Sequence, residues 1–187
     1  MGISEVSKAV FLDRDGVLNV PVVRDGRPYP PAGLDQLQIY PDAPGALACL
    51  KRAGYLLIVV TNQPDVARGT QSREAVNSMN AAVGAALPVD EFLVCWHDDG
   101  EDCDCRKPKP GLVMAAAERH QIDLARSFLV GDRWRDIDCG AAAGVRTVWI
   151  DRQYRERAPS SSPDHVADSL TSAASWILAV SKITPGD

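Results

Sequence analysis

The sequence predicts an α/β fold: a mainly parallel sheet with helices on both faces. Three observations predict it. Short apolar runs rich in branched residues stop abruptly at polar ones, as buried parallel strands do. Helical periodicities lie between those runs, and Gly, Ser or Asp stands at their boundaries as caps. Alternation of the two patterns makes the helices crossovers between parallel strands. With 187 residues and 45% hydrophobic content the chain can bury one full core, so a single domain over residues 1–187 is expected.

The elements follow in order. "KAVFL" (8–12) is the first strand. Residues 20–40 carry Pro21, Pro28, Pro30, Pro31, Gly26 and Gly33, too much punctuation for a long helix, and read as a flap or hairpin. "DAPGALACLKRAG" (42–54) is a helix closed by Gly54, and "YLLIVVT" (55–61) the next buried strand. "SREAVNSMNAAVGAAL" (72–87) is a helix and "EFLVCW" (91–96) a strand that runs into a loop rich in Cys and acids. Beyond it come a helix at "GLVMAAAERHQ" (111–121), a strand at "SFLVGD" (127–132), a helix at "WRDIDCGAAAG" (134–144) and a strand at "RTVWI" (146–150). "RQYRERAPSSSPD" (152–164) is a polar surface loop, and "HVADSLTSAASWILAV" (165–180) supplies a last short strand and a helix.

The formal net charge of -5 argues against a nucleic-acid or membrane-surface binder, which needs a broad excess of Lys and Arg. Any anion must therefore be held locally. No apolar run approaches the length of a bilayer span, and the first residues lack a cationic-then-apolar signal pattern, so a cytoplasmic monomer is expected. Five cysteines in a reducing compartment make disulfides the weakest reading, and Cys49 and Cys139 read as buried structural thiols.

Chemistry gathers at the ends of the strands, the edge of a parallel sheet where ligands bind. "FLDRDG" puts Asp13 and Asp15 two positions apart at the first such end. Carboxylates that close repel unless a proton or cation lies between them, and Mg²⁺ with its preference for oxygen ligands suits the pair. The alternative is an ordinary Asp-Gly turn. "TNQ" lets Thr61 and Asn62 offer a hydroxyl and N–H groups to an anion. "CRKPKPG" sets Arg106, Lys107 and Lys109 just before a helix N-terminus, where a phosphate can be held. "VGDRWRD" adds Asp132 at a strand end and Asp136 one helical turn later, the latter either supporting Lys107 or the metal waters, or capping the helix.

Cys95, His97, Cys103 and Cys105 form C-x-H and C-x-C pairs joined by a five-residue loop. Four such ligands suit tetrahedral Zn²⁺, and full protein coordination marks a structural site. The alternative is free thiols on an acidic loop. Because Cys105 abuts Arg106 and Lys107, a zinc there would fix the segment that presents those cations.

Taken in order, "FLDRDGVLN", "VVTNQ", "RKPKPG" and "VGDRWRD" resemble the four motifs of the haloacid dehalogenase (HAD) superfamily of phosphotransferases, across residues 8–181. The resemblance implies a Rossmann-like, doubly wound sheet. It implies Asp13 as the nucleophile that forms an aspartyl-phosphate, and Asp15 as general acid and then general base. It also implies Thr61 and Lys107 on the phosphoryl oxygens, with Mg²⁺ held by the Asp13 and Asp132 carboxylates and the Asp15 backbone carbonyl.

Within the superfamily the Cys/His loop and "TNQPDVARG" are similar to the histidinol-phosphate and D-glycero-D-manno-heptose 1,7-bisphosphate phosphatases. "FLDRDGVLN", "VARG" and "CDCRKPKPG" favour the heptose family, which implies Mg²⁺-dependent hydrolysis of a small phosphorylated sugar. Pro64-Asp65 stands where that family typically has Ser-Gly, and the loop between His97 and Cys103 is shorter.

Spacing adds an independent constraint on the site. From Asp15 to Thr61 there are 46 positions, which a strand, a helix and the flap consume, so no separate cap domain fits. An open site favours a hydrolase over a mutase, which must keep water from its phosphoenzyme. Arg106, with Arg24, Arg27, Arg68 or Arg133, could hold a second phosphate or another polar group. A catalytically silent, zinc-stabilised binding module on the same fold is the non-enzymatic alternative.

Overall fold

The computed structural model describes residues 6–182. Its central sheet holds six strands: β1 (Lys8–Leu12), β4 (Tyr55–Asn62), β5 (Glu91–Cys95), β6 (Phe128–Gly131), β7 (Arg146–Ile150) and β8 (His165–Ala167). They lie in the order β5-β4-β1-β6-β7-β8 and every pairing is parallel. β2 (Val22–Arg24) and β3 (Arg27–Tyr29) form a separate antiparallel hairpin, the flap expected within residues 20–40. Among the described residues the hairpin, a short 3-10 turn and α1 (Ala43–Arg52) are the elements between Asp15 and β4, so the site has no cap domain there.

The period of two along β1 explains the layering. Val10 and Leu12 point to one face, where they meet Ala46, Leu47 and Leu50 of α1 and Leu170, Ala173 and Ile177 of α5 (Leu170–Ser181). Ala9 and Phe11 point to the other, against Leu112, Val113 and Ala116 of α3 (Gly111–His120) and Cys139 and Ala143 of α4 (Trp134–Ala143). β1 is thus covered on both sides, which is why it reads as a continuous apolar run.

Two helix starts are capped by their own serine. Ser72 Oγ caps α2 (Arg73–Ala86) by accepting from Ala75 N at 3.1 Å, and Ser169 Oγ does the same for Ser172 N at 3.2 Å in α5. Asp42, expected to cap α1, already has helical backbone angles and makes no cap bond to it. Its carboxylate accepts instead from Thr171 N at 3.1 Å, in the first turn of the neighbouring α5.

The chain leaves β1 toward β4 on one side and later returns to β6 on the other. This reversal of direction opens a crevice beyond the C-terminal ends of β1, β4 and β6. Register places Leu12 level with Val59 and with Val130, so residues 13, 61–63 and 132 emerge at one edge. No helix among the described residues is long and apolar enough to cross a membrane.

Candidate active site

Asp13 extends the β1 ladder, its N–H donating to Val130 O at 3.0 Å, so its side chain is delivered buried into the crevice. One turn of backbone later, Gly16 adopts φ +92°, a conformation glycine reaches without strain. A Cβ there would lie 1.7 Å from Asp132 Oδ2, so only glycine lets the first loop close against the Asp132 carboxylate.

The carboxylate oxygens of Asp13, Asp132 and Asp136 lie within 4.8 Å of one another. Both oxygens of Asp132 are buried and have no hydrogen-bond partner. Burial raises the Asp132 carboxyl well above its ordinary range, and repulsion from Asp13 and Asp136 adds to this. Orphaned buried oxygens of this kind demand an unpaired proton or a cation. Three carboxylates face a single ammonium, that of Lys107, a donor set that suits a hard divalent ion.

The magnesium set implied by the resemblance, the Asp13 and Asp132 carboxylates with the Asp15 backbone carbonyl, leaves the Asp15 side chain to other partners. Asp15 accepts from Arg14 Nη2 at 2.9 Å, Asn19 Nδ2 at 3.0 Å and Gln63 Nε2 at 2.9 Å, and its carboxylate is not part of the cluster. Asp136 is the third member of that cluster. What Asp15 can offer a metal is its backbone carbonyl.

Lys107 is almost fully buried, with Nζ 2.9 Å from Asp13 Oδ1 and 2.6 Å from Asp136 Oδ1, and it donates to Val60 O at 2.8 Å. Burial alone would lower its pKa, but Asp13 and Asp136 outweigh that and raise it, so the ammonium stays charged. Burial pushes the Asp13 carboxyl up to about 6, against the attraction of Lys107. Asp136 fills two expected roles together, because its other oxygen accepts from Arg133 N at 3.0 Å and caps α4.

Thr61 is buried at the end of β4, and its Oγ1 accepts from Gln63 Nε2 at 3.0 Å. Asn62, expected to bind an anion, spends its amide on the backbone of Lys107. Nδ2 donates to Lys107 O and Oδ1 accepts from Lys107 N, both at 3.1 Å. Asp13, Asp15, Thr61, Asn62 and Lys107 line one open cleft of about 530 Å³.

Arg68, Arg106 and Arg133 line the same cleft, as expected for substrate contacts. Arg24 does not: its guanidinium lies 5.7 Å over the Tyr29 ring, and its cross-strand partner Arg27 lines the cleft. Residues 24 and 27 are direct partners across the two-residue turn, so both leave the same face of the hairpin. Sequence reasoning also missed Arg135, Arg155 and Arg157 in the cleft wall. It missed the fully buried Arg14, tied to Asn80 by an Nη1–Oδ1 bond of 2.8 Å, and Tyr154, whose buried hydroxyl has no partner and whose pKa is raised by burial and by Asp132. Tyr154, Arg155 and Arg157 come from a loop read as surface, Arg135 from the first turn of α4 and Arg14 from between the two aspartates. None carried a pattern of its own.

Cys95 ends β5, and the loop brings its Sγ to 3.3 Å from Cys105 Sγ and 4.0 Å from Cys103 Sγ, with His97 Nδ1 3.6 Å from Cys95 and 3.3 Å from Cys105. A tetrahedron of 2.3 Å zinc–sulfur bonds has edges of about 3.8 Å, so the four atoms fit zinc. All five cysteines are free thiols. Arg106 Nη1 donates to His97 O at 3.1 Å, which ties the loop to the segment that carries Lys107.

This architecture, a parallel sheet with a buried carboxylate at the end of its first strand and a cation-bearing loop at the same edge, is that of the HAD-like hydrolases. The HAD-hydrolase-like family model matches residues 104–173. The D-glycero-beta-D-manno-heptose-1,7-bisphosphate 7-phosphatase of Pseudomonas putida is 36% identical over 155 residues, covering 80% of this chain and 86% of its own. That of Vibrio cholerae is 35% identical over 190 residues, covering 93% and 98%. The crystal structure of D,D-heptose 1,7-bisphosphate phosphatase from B. bronchiseptica, complexed with magnesium and phosphate, superposes with a TM-score of 0.77 at 29% identity over 92% of this chain and 99% of that one. The chain belongs to the heptose 1,7-bisphosphate phosphatase family of the HAD superfamily.

Proposed function

We propose that the protein removes the 7-phosphate of D-glycero-D-manno-heptose 1,7-bisphosphate through an aspartyl-phosphate on Asp13. The observation that supports this most is the buried convergence of Asp13, Lys107 and the unpartnered Asp132 at one sheet edge, beside Thr61. Family membership supports the choice of sugar.

Asp13 attacks phosphorus, and the phosphorus–oxygen bond to the sugar breaks as Asp15 donates a proton to the departing oxygen. Lys107 and the Thr61 hydroxyl hold the phosphoryl oxygens, on which charge concentrates during transfer. Asp15, now a base, takes a proton from the water that attacks the phosphoryl group and frees Asp13. Arg14, Asn19 and Gln63 fix the Asp15 carboxylate between these two steps.

The Asp13 and Asp132 carboxylates and the Asp15 carbonyl would hold Mg²⁺, which supplies the positive charge that offsets repulsion between an anionic nucleophile and an anionic phosphate. Cys95, His97, Cys103 and Cys105 would hold a structural Zn²⁺ that fixes Arg106 and Lys107. Every group named comes from one chain, so a monomer in the cytoplasm suffices, without nucleic acid or membrane.

The test is phosphate release with Mg²⁺ from the α- and β-anomers of the heptose bisphosphate, from histidinol phosphate and from simple sugar monophosphates, with Asp13→Asn as blank. A large preference for one heptose bisphosphate is expected. Equal, slow turnover of all of them would reject the sugar.

A further inference from the structure

Seven arginines line the cleft, and five are already committed. Arg68 pairs with Asp65, Asp98 and Asp99, and Arg106 with Asp99 and the His97 carbonyl. Arg133 pairs with Glu156, Arg135 with Asp99, and Arg157 with Asp138 while lying 3.4 Å over the Trp134 ring. Arg27 and Arg155 alone among them make no side-chain hydrogen bond or ion pair with any described residue. A guanidinium with a carboxylate partner must give it up to bind an anion, whereas a free one presents its whole fork of donors.

The two free arginines come from elements 128 positions apart in sequence that the fold joins. Arg155 N donates to Gly26 O at 2.8 Å. The stem of Arg155 lies so close over the hairpin turn that a Cβ on Gly26 would sit 2.7 Å from its Cγ and 2.8 Å from its Cδ. Asp25 (φ 50°) and Gly26 (φ 76°) form the tight turn that immediately precedes Arg27. The turn thus sets Arg27 on the cleft wall and leaves room for Arg155 beside it. Resting on the bisphosphate reading above, we infer that Arg27 and Arg155 form the subsite for the remote, non-transferred phosphate of the substrate, with the hairpin and the 151–163 loop acting as its two jaws.

The experiment measures affinity by calorimetry in Mg²⁺- and Zn²⁺-loaded Asp13→Asn protein, which binds without turnover. The probes are heptose 1,7-bisphosphate and the monophosphate that carries only the 7-phosphate. The bisphosphate should bind at least tenfold tighter, and Arg27→Ala with Arg155→Ala should bring that ratio toward one. Arg155→Lys, which keeps charge but not the fork, should restore part of it. A ratio near one in the parent, or one that survives the double variant and collapses in Arg106→Ala, overturns the assignment. Failure of the hydrolase reading shows elsewhere, as phosphate release that persists in Asp13→Asn.

Discussion

The side-chain amide of Asn62 pairs with both backbone groups of Lys107, donating to its carbonyl and accepting from its N–H at 3.1 Å each. One residue at the end of β4 thereby fixes the height of the loop that carries the buried ammonium. Asn62→Leu leaves both Lys107 groups unpaired, at about 1–3 kcal/mol for each if they stay dry. We expect a lower unfolding midpoint, and a fall in kcat larger than the rise in KM because the cation that faces the transition state is displaced. A rise in KM with kcat unchanged would place Asn62 on the substrate instead.

Acid should act through Asp13. Its carboxyl is raised from an ordinary 3.8 to about 6, so the folded metal-free protein binds this proton more tightly than the unfolded chain does. Stability is then favoured below 3.8 and is lost as pH rises toward 6, by about 3 kcal/mol for a shift of this size. Asp132, shifted the same way, adds to the trend. Mg²⁺ needs the ionised forms, so its apparent affinity should weaken as pH falls below about 6. The acid limb of kcat/KM should move to lower pH as Mg²⁺ is raised, and a limb independent of Mg²⁺ would refute this linkage.

Gly16→Ala tests the metal cradle. The new Cβ would meet Asp132 Oδ2 at 1.7 Å on a backbone with φ +92°. We expect Mg²⁺ affinity, read by calorimetry on the free enzyme, to fall at least tenfold, with loss of stability of about 1 kcal/mol or more from the backbone alone. Unchanged Mg²⁺ binding would mean that Asp132 is not a ligand.

The Cys/His loop should carry near-stoichiometric zinc in protein purified without chelator. Its removal, or Cys105→Ser, should lower the unfolding temperature and also kcat, since Lys107 lies two positions beyond the last thiolate. Zinc-free protein of undiminished stability would leave the thiols without this role.

The six sheet strands and five helices were legible because each carries a full period of its pattern, and the main groups of the candidate site because they sit where those patterns stop. Asp13, Thr61, Lys107 and Asp132 needed only the ends of β1, β4 and β6 and a loop to place them. The hidden parts depend on tertiary contact. Asp136 joins the carboxylate cluster while Arg14, Gln63 and Asn19 hold the Asp15 carboxylate outside it, and no local spacing records that. Asp42 caps a helix that begins far along the chain, at Leu170.

The most direct test of the central claim is the capture of phosphate on Asp13. Wild-type protein in Mg²⁺, mixed with heptose bisphosphate radiolabelled at the 7-phosphate and quenched in acid, should hold acid-stable label on the peptide containing Asp13, and Asp13→Asn should neither hold label nor release phosphate. Phosphate release by Asp13→Asn at a rate near that of the wild type would contradict the account.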